Sequence, residues 1–425
     1  MLYRESGLAQ RGQNSGESDC AVWLRPASAV HPEAVEAVRL TSAGLGAVTT
    51  HTPWATRVRR ATLVGTTVGI RDAVIAIPAC DEEARIARCL DACLDSIVES
   101  GLTIELLVLV NGSTDSTVDR VAAWSTDRDY PVTIVEASFH TDAAHAGAAR
   151  ALALELAAVD IAPDTPLLTT DADASPPRDW VRRNLAHLAD GARLVCGGIH
   201  LDPSEAVSLP DPLTDGGDVA ERYKEAMREL ENRLDPDFWN RWPHHGESSG
   251  ASLALTCATL EAVGGIPFVA CGEDRALAAR LRGRGEYVCY ADDISVAVSC
   301  RLSGRARGGM ADTLRQRLFD PDPPCDEAYR EAYRVERDAR LAASVRRLWS
   351  RRSGRERLLL AHSVSPCVAE RLATIDEVAD VLAGCRALGS PSPLRSSDLR
   401  RELPVLLELI ERTKRRESPW STCPA

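Results

Sequence analysis

The sequence predicts an α/β fold. It reads as a doubly wound, mostly parallel sheet with a helical C-terminal region. Three observations predict it. From Ala73 to Thr170, short apolar runs alternate with segments whose apolar residues recur at helical spacing. The runs are rich in Ala, Val, Ile and Leu, as strands buried on both faces require. Past Met310 such runs stop, and an Arg/Ala/Leu/Glu-rich stretch keeps only helical spacing.

Each element can be justified in turn. Ala73-Val74-Ile75-Ala76-Ile77-Pro78 is the first buried strand. Asp81-Glu82-Glu83 suits a helix N-terminus, where negative charge is favoured. Ile86, Leu90, Cys93, Leu94 and Ile97 then form the apolar stripe of an amphipathic helix. Ile104 to Val110 is a second strand. Asn111 to Thr117 is a turn and a cap for the helix from Val118 to Trp124. Val132 to Glu136 is a third strand, and Gly147 to Val159 an Ala/Leu-rich helix. Leu167 to Thr170 is a fourth strand, bounded by Pro166 and Pro176. This β-α-β-α-β-α-β order is that of a doubly wound sheet.

Further on, Trp180 to Leu188 reads as a helix and Leu194 to His200 as a strand. Pro203 to Asp218 reads as a loop and Ala220 to Leu234 as a helix. Gly250 to Leu255 is a strand, and Thr259 to Val263 and Arg275 to Arg284 are helices. Tyr287 to Tyr290 and Ser295 to Cys300 read as two separate strands. Upstream, Met1 to Asp19 is polar and reads as disordered. Pro32 to Leu40 reads as one helix with Pro32 in its first turn. Three regions follow: 1–70, a poorly defined and partly disordered extension; 71–309, the α/β domain; and 310–425, the helical region.

Composition narrows the function. A formal charge of -12 argues against a general nucleic-acid binder, and 44% apolar residues provide a sizeable core with only 4% aromatics. The 13 cysteines are scattered without a CxxC pair, which argues against a zinc ribbon and fits a reducing, cytoplasmic setting. No apolar run reaches the ~18 residues of a membrane span. The N-terminus lacks the basic-then-apolar order of a signal peptide. A homo-oligomer is left open.

Several short segments can carry chemistry. Asp171-Ala172-Asp173 closes the fourth strand. Read as strand, its two carboxylates point to one side and repel unless a cation joins them. The plainer reading is a solvated turn. Gly272-Glu273-Asp274 opens a helix, as dipole complement or as a carboxylate base. Arg301, Arg305 and Arg307 sit in a Gly-containing loop that could grip phosphate oxygens or be ordinary charged surface. Trp239, Trp242, His244 and His245 cluster before Gly250, as a packed corner or as a sugar-stacking surface. No Walker A or GxGxxG motif follows the first strand.

Taken together, residues 72 to about 309 resemble a family 2 inverting glycosyltransferase of the GT-A fold. The resemblance rests on Ile75 to Glu83, Val110 to Asp115, Ala146 to Arg150, Thr170 to Asp173 and Gly272 to Asp274, in that order. It implies a donor site for a nucleotide-diphosphate sugar at Pro78, Ala79, Glu82, Asn111, Arg150, Asp171, Ala172, Arg301 and Arg305. It implies Mg2+ or Mn2+ on Asp173 and Asp171, and Asp274 as base, with Glu273 as the alternative. Trp239, Trp242 and His245 would shape the site of an unidentified hydroxyl acceptor. The chain departs from the pattern in having Val110-Asn111 where a second carboxylate is usual, and Ser299-Cys300 near the usual place of a third metal ligand. A nucleotidyltransferase of the same fold and a non-catalytic sugar-nucleotide-binding or scaffold protein are the alternatives. The first would need a Gly-rich basic loop after the first strand, which Pro78 to Glu83 lacks. The second sits poorly with Asp171, Asp173 and Asp274 together.

Overall fold

The strand order turns back beside the strand Ala73–Ala79, and that switch point locates the candidate site. The computed structural model describes residues 36–41, 44–49, 57–64 and 71–417, apart from 140–143, 208, 210–216, 270, 305–308, 327, 377 and 388–392. Strands β1 (Glu36–Thr41) and β2 (Gly44–Thr49) form an antiparallel hairpin. The described part of the expected Pro32–Leu40 helix is therefore a strand. One-to-one pairing with a neighbouring strand outweighs local periodicity there.

The main sheet has nine strands: β3 (Arg57–Val64), β4 (Ala73–Ala79), β5 (Ile104–Asn111), β6 (Val132–Ser138), β7 (Pro166–Thr169), β8 (Ala174–Ser175), β9 (Leu194–Leu201), β10 (Leu253–Thr256) and β11 (Val288–Val298). Their order is β3-β6-β5-β4-β7-β10-β9-β11-β8. The run β6-β5-β4-β7 is parallel, as expected. Beyond it the sheet is mixed, because β10 is antiparallel to both β7 and β9. Strand β3, from within the expected N-terminal extension, joins the sheet antiparallel to β6. The two strands expected at Tyr287–Tyr290 and Ser295–Cys300 are one strand, β11. Its register against β9 shifts between Ala291 and Ser295. That bulge puts exposed Asp292 and Asp293 inside the strand, where they read as a break in the sequence.

The helices are α1 (Ile86–Ser100), α2 (Thr117–Arg128), α3 (Ala146–Ala157), α4 (Trp180–Ala189), α5 (Pro203–Ala206), α6 (Gly217–Leu234), α7 (Cys257–Ala262) and α8 (Glu273–Gly283). Alternate residues of β4 feed opposite faces of the sheet. Ala73, Ile75 and Ile77 pack with Ile86 and Leu90 of α1 and Trp180 of α4. Val74 and Ala76 pack with Leu152 and Leu154 of α3 and Leu277 of α8. Burial on both faces is why β4 reads as an unbroken apolar run.

The C-terminal region is helical, as expected: α9 (Met310–Phe319), α10 (Ala332–Leu348), α11 (Arg355–Ala361), α12 (Pro366–Leu372), α13 (Val378–Ala387) and α14 (Ser396–Glu417). Tyr223 and Leu230 of α6 share a core with Val335 of α10 and Leu406 of α14. The lower part of β11 is closed by a side chain. Asn240 Nδ2 donates to Val288 O at 2.7 Å, and Tyr290 N–H donates to Asn240 Oδ1 at 2.9 Å. One amide thus meets the edge groups a further strand would otherwise take. Among the described residues no helix is long and apolar enough to cross a membrane.

Candidate functional site

The chain goes from β4 outward to β5 and β6, then returns to the other side of β4 as β7. The carboxyl ends of β4 and β7 therefore flank a topological switch point, the place where open α/β sheets bind ligands. Three loops meet there: 80–85, 112–116 and 170–173.

The first two loops are laced together. Asp81 N–H donates to Ser113 Oγ at 2.8 Å, and Thr114 N–H donates to Asp81 Oδ1 at 2.7 Å. Glu82 N–H donates to Thr117 Oγ1 at 2.8 Å, and Glu83 N–H to Asp115 Oδ2 at 3.0 Å. The polar residues after Asn111 thus hold the neighbouring loop. Asn111 ends β5 beside Ala137 and is half-buried. Pro78 is half-buried at the end of β4, and Ala79 is buried there.

Asp171 and Asp173 lie in a turn between β7 and β8, not in a strand. Ala174 N–H closes the turn on Asp171 O at 3.0 Å. The two carboxylates have different partners, and Ala172 between them packs its side chain into the core. Arg301 Nη2 is 3.0 Å from Asp173 Oδ2, and Arg301 also forks onto Glu82, with Nη1 donating to Oε2 at 2.6 Å. Burial, then the charge of Asp171, pushes the Asp173 carboxyl up to about 7 against the pull of Arg301. Arg305 lies outside the described residues.

Arg150 is 3% exposed and supports the Asp171 side of the crevice. Its Nη2 donates to Asp171 Oδ1 at 2.6 Å, and its Nε to Glu273 Oε1 at 3.1 Å. Its Nη1 donates to Thr169 Oγ1 at 2.9 Å and to Gly250 O at 2.8 Å. Burial opposes its charge, and Asp171 and Glu273 together outweigh burial. A Cβ at 250 would stand 2.2 Å from Arg150 Nη2, so any larger residue there displaces the buried guanidinium.

Gly250 also reaches the candidate base. Its N–H donates to Asp274 Oδ2 at 2.8 Å, and Arg275 N–H donates to Asp274 Oδ1 at 2.6 Å. Burial, then Glu273, raises the Asp274 carboxyl above its ordinary value. Glu273 is itself buried on Arg150, whereas Asp274 is half-buried. Ser299 and Cys300 are committed elsewhere: Ser299 Oγ donates to Glu205 Oε2 at 2.6 Å, and Cys300 N–H to the same oxygen at 3.1 Å. Among the described residues no three His, Cys, Asp or Glu side chains gather as a metal cluster.

The aromatic segment divides. Trp239 stacks on Tyr287 with centroids 4.8 Å apart. Tyr287 precedes Val288, which is level with Leu194, Leu255 and Leu167, so Trp239 sits at the far end of the strands from the crevice. Trp242, His244 and His245 line a separate cavity of about 380 Å3 against α6. His244 stacks on Tyr290 at 5.2 Å, and His245 N–H donates to Asp292 Oδ1 at 3.2 Å. Burial lowers both imidazoles. Sequence reasoning missed Thr169, Gly250 and Glu205, whose roles come from backbone groups or distant partners.

Comparison with known proteins gives the following. The family described as glycosyl transferase family 2 matches residues 74–245. No curated protein sequence matches the chain. Similar solved structures include the mannosyltransferase PcManGT from Pyrobaculum calidifontis in complex with GDP-Man and Mn2+. It is 19% identical, covers 88% of this chain and 92% of its own, and has a TM-score of 0.41. TarS 1-349 of S. aureus in complex with UDP is 13% identical, with coverage of 83% and 94% and a TM-score of 0.37. Glucosyl-3-phosphoglycerate synthase from Mycobacterium tuberculosis in complex with Mg2+ and UDP is 19% identical, with coverage of 59% and 78% and a TM-score of 0.34.

Proposed function

We propose that the protein, whose residues 74–245 match the family described as glycosyl transferase family 2 and lie on an α/β sheet, transfers a sugar from a nucleotide-diphosphate sugar to an acceptor hydroxyl with inversion. The observation that carries this reading is the pairing of two groups across Gly250: Asp171 through Arg150 on one side, and Asp274 on the other. One backbone unit thus fixes a donor-side carboxylate and a candidate base together.

The donor occupies the switch-point crevice. Glu82, in the loop after β4, and Asn111, at the end of β5, face the nucleoside. Arg301 pairs with Asp173 and Glu82, and it would meet a diphosphate by turning its fork away from these carboxylates. The residues fit a divalent cation on one observation: Asp171 and Asp173 stand two residues apart in one turn, where burial and then the charge of Asp171 disfavour the ionised form of Asp173. Asp173 and Asp171 would hold Mg2+ or Mn2+, an ion that takes one or two carboxylates and completes its shell with water and phosphate. When bound, the ion neutralises charge on the diphosphate. Asp274 takes the proton of the acceptor hydroxyl as its oxygen attacks the anomeric carbon. The bond from that carbon to the diphosphate oxygen breaks, and the nucleoside diphosphate leaves. A raised carboxyl pKa suits this task, since it strengthens the base. The cysteines among the described residues are free, which supports a reducing, cytoplasmic setting.

Asp274→Asn tests the assignment. Donor affinity should stay within about two-fold by calorimetry, while kcat falls roughly 10^2- to 10^4-fold. Transfer at the wild-type rate would remove Asp274 from the mechanism.

A further inference from the structure

We propose that Glu205 is a positioning residue for donor binding, the clamp that holds the end of β11 so that Arg301 reaches the crevice. The inference rests on the transferase reading above and names a residue that shapes its donor site from outside it.

Glu205 lies in α5, just past the end of β9, in a segment that reads as a loop in the sequence. Asp202 fixes this short helix to β11. Its N–H donates to Val298 O at 2.8 Å, and its Oδ1 accepts from Ser204 N–H at 2.8 Å. Arg88 of α1 ties Asp202 and Glu205 together, with Nη1 donating to Asp202 Oδ2 at 2.6 Å and Nη2 to Glu205 Oε1 at 3.3 Å.

The other oxygen of Glu205 meets two successive residues. Oε2 accepts from Ser299 Oγ at 2.6 Å and from Cys300 N–H at 3.1 Å. Ser299 Oγ in turn accepts from Arg85 Nε at 3.1 Å and from the N–H of Arg301 at 3.3 Å. The two residues before Arg301, and the N–H of Arg301 itself, are thus tied to one carboxylate. Ser299 and Cys300 are buried, so a lost acceptor there is not readily replaced by water. Burial opposes the charge of Glu205, and the Ser299 hydroxyl, followed by Arg85, outweighs burial.

Arg301 is the group this anchoring serves. Its guanidinium pairs with Glu82 and Asp173 and must turn from them to meet a diphosphate. With the backbone held, only the side chain moves. Without the clamp the segment must be ordered at each binding event, which weakens binding. Ser299 and Cys300 give their donors to Glu205, which leaves Arg301 as the residue of the three that reaches Glu82 and Asp173.

The test measures donor affinity by calorimetry on the full chain, with Mn2+ and either UDP-glucose or GDP-mannose. Ser299→Ala and Glu205→Ala should each weaken binding by about five-fold or more, the order of one hydrogen bond. Glu205→Gln keeps an acceptor oxygen of the same reach and should stay within about two-fold of the wild type. In an Arg301→Met background, Ser299→Ala and Glu205→Ala should change affinity by less than about two-fold, because the group they position is gone. Ser299→Ala removes one hydroxyl and carries the test if Glu205→Ala does not fold. A wild type that binds donor, beside Ser299→Ala and Glu205→Ala that bind it equally well, overturns this inference alone. A loss of the same size with and without Arg301 overturns it too, as does a loss in Glu205→Gln as deep as in Glu205→Ala. If the wild type binds neither donor, the donor-site reading falls, and this inference with it.

Discussion

Gly250→Ala adds one methyl group beneath the crevice, and the backbone fixes where it falls. The new Cβ would stand 2.2 Å from Arg150 Nη2, 2.4 Å from Cζ and 2.7 Å from Nε. The backbone at Gly250 lies outside the left-handed region, so the cost is steric. Arg150 is buried and bonded on every side, so its guanidinium must move off Asp171, Glu273, Thr169 and Gly250 O. Leaving a buried charge without its partner costs about 3–5 kcal/mol. In an Arg150→Met background the methyl meets no guanidinium, and the same change should cost less than about 1 kcal/mol. Urea unfolding of the wild type, both single variants and the double variant gives the coupling directly, and it should be about 2 kcal/mol or more. Gly147→Ala is a milder probe of the same network, since its Cβ would lie 3.1 Å from Glu273 Oε2. If Gly250→Ala costs the same in both backgrounds, Arg150 does not occupy the space assigned to it.

Asp173 and Asn240 give two further tests. The folded pKa of Asp173, about 7, lies above the unfolded value of about 3.9, so the folded state holds this proton more tightly. Its contribution to stability is present below pH ~4 and is lost as pH rises toward 7. In metal-free buffer, the stability of the wild type relative to Asp173→Asn should fall by about 2–3 kcal/mol between pH 5 and pH 8; a flat difference contradicts the assigned environment. Asn240→Ala leaves Val288 O and Tyr290 N–H unpaired and should cost about 1–3 kcal/mol by denaturant unfolding. An unchanged midpoint would mean that the edge of β11 needs no cover.

The part of the fold that could be read from the sequence is the part buried on both faces. Strands β4 to β7 announce themselves because Val74 and Ile75 each face a core. The helix beginning at Ile86 shows for the complementary reason, a single apolar stripe. Strand β11 reads as two strands in the sequence because Asp292 and Asp293 bulge into solvent between two buried stretches. The direction of β10 has no local signature, since parallel and antiparallel strands share one side-chain period. In the site, residue types suggested Asp171, Asp173, Asp274 and Arg301, and Arg301 does meet Asp173. What Arg150 holds could not be read, because two of its four partners are a threonine hydroxyl and a glycine carbonyl. Trp239 and Trp242 are neighbours in sequence, but Asn240 is fixed to the edge of β11 between them, and they face different surroundings.

Calorimetric titration of UDP-glucose and GDP-mannose, with Mn2+ and with EDTA, into the wild type and Asp173→Ala tests the central assignment most directly. The account predicts that at least one donor binds the wild type when Mn2+ is present, and that Asp173→Ala loses this Mn2+-dependent affinity by ten-fold or more. Equal affinity in both proteins, or wild-type binding indifferent to Mn2+, would contradict it.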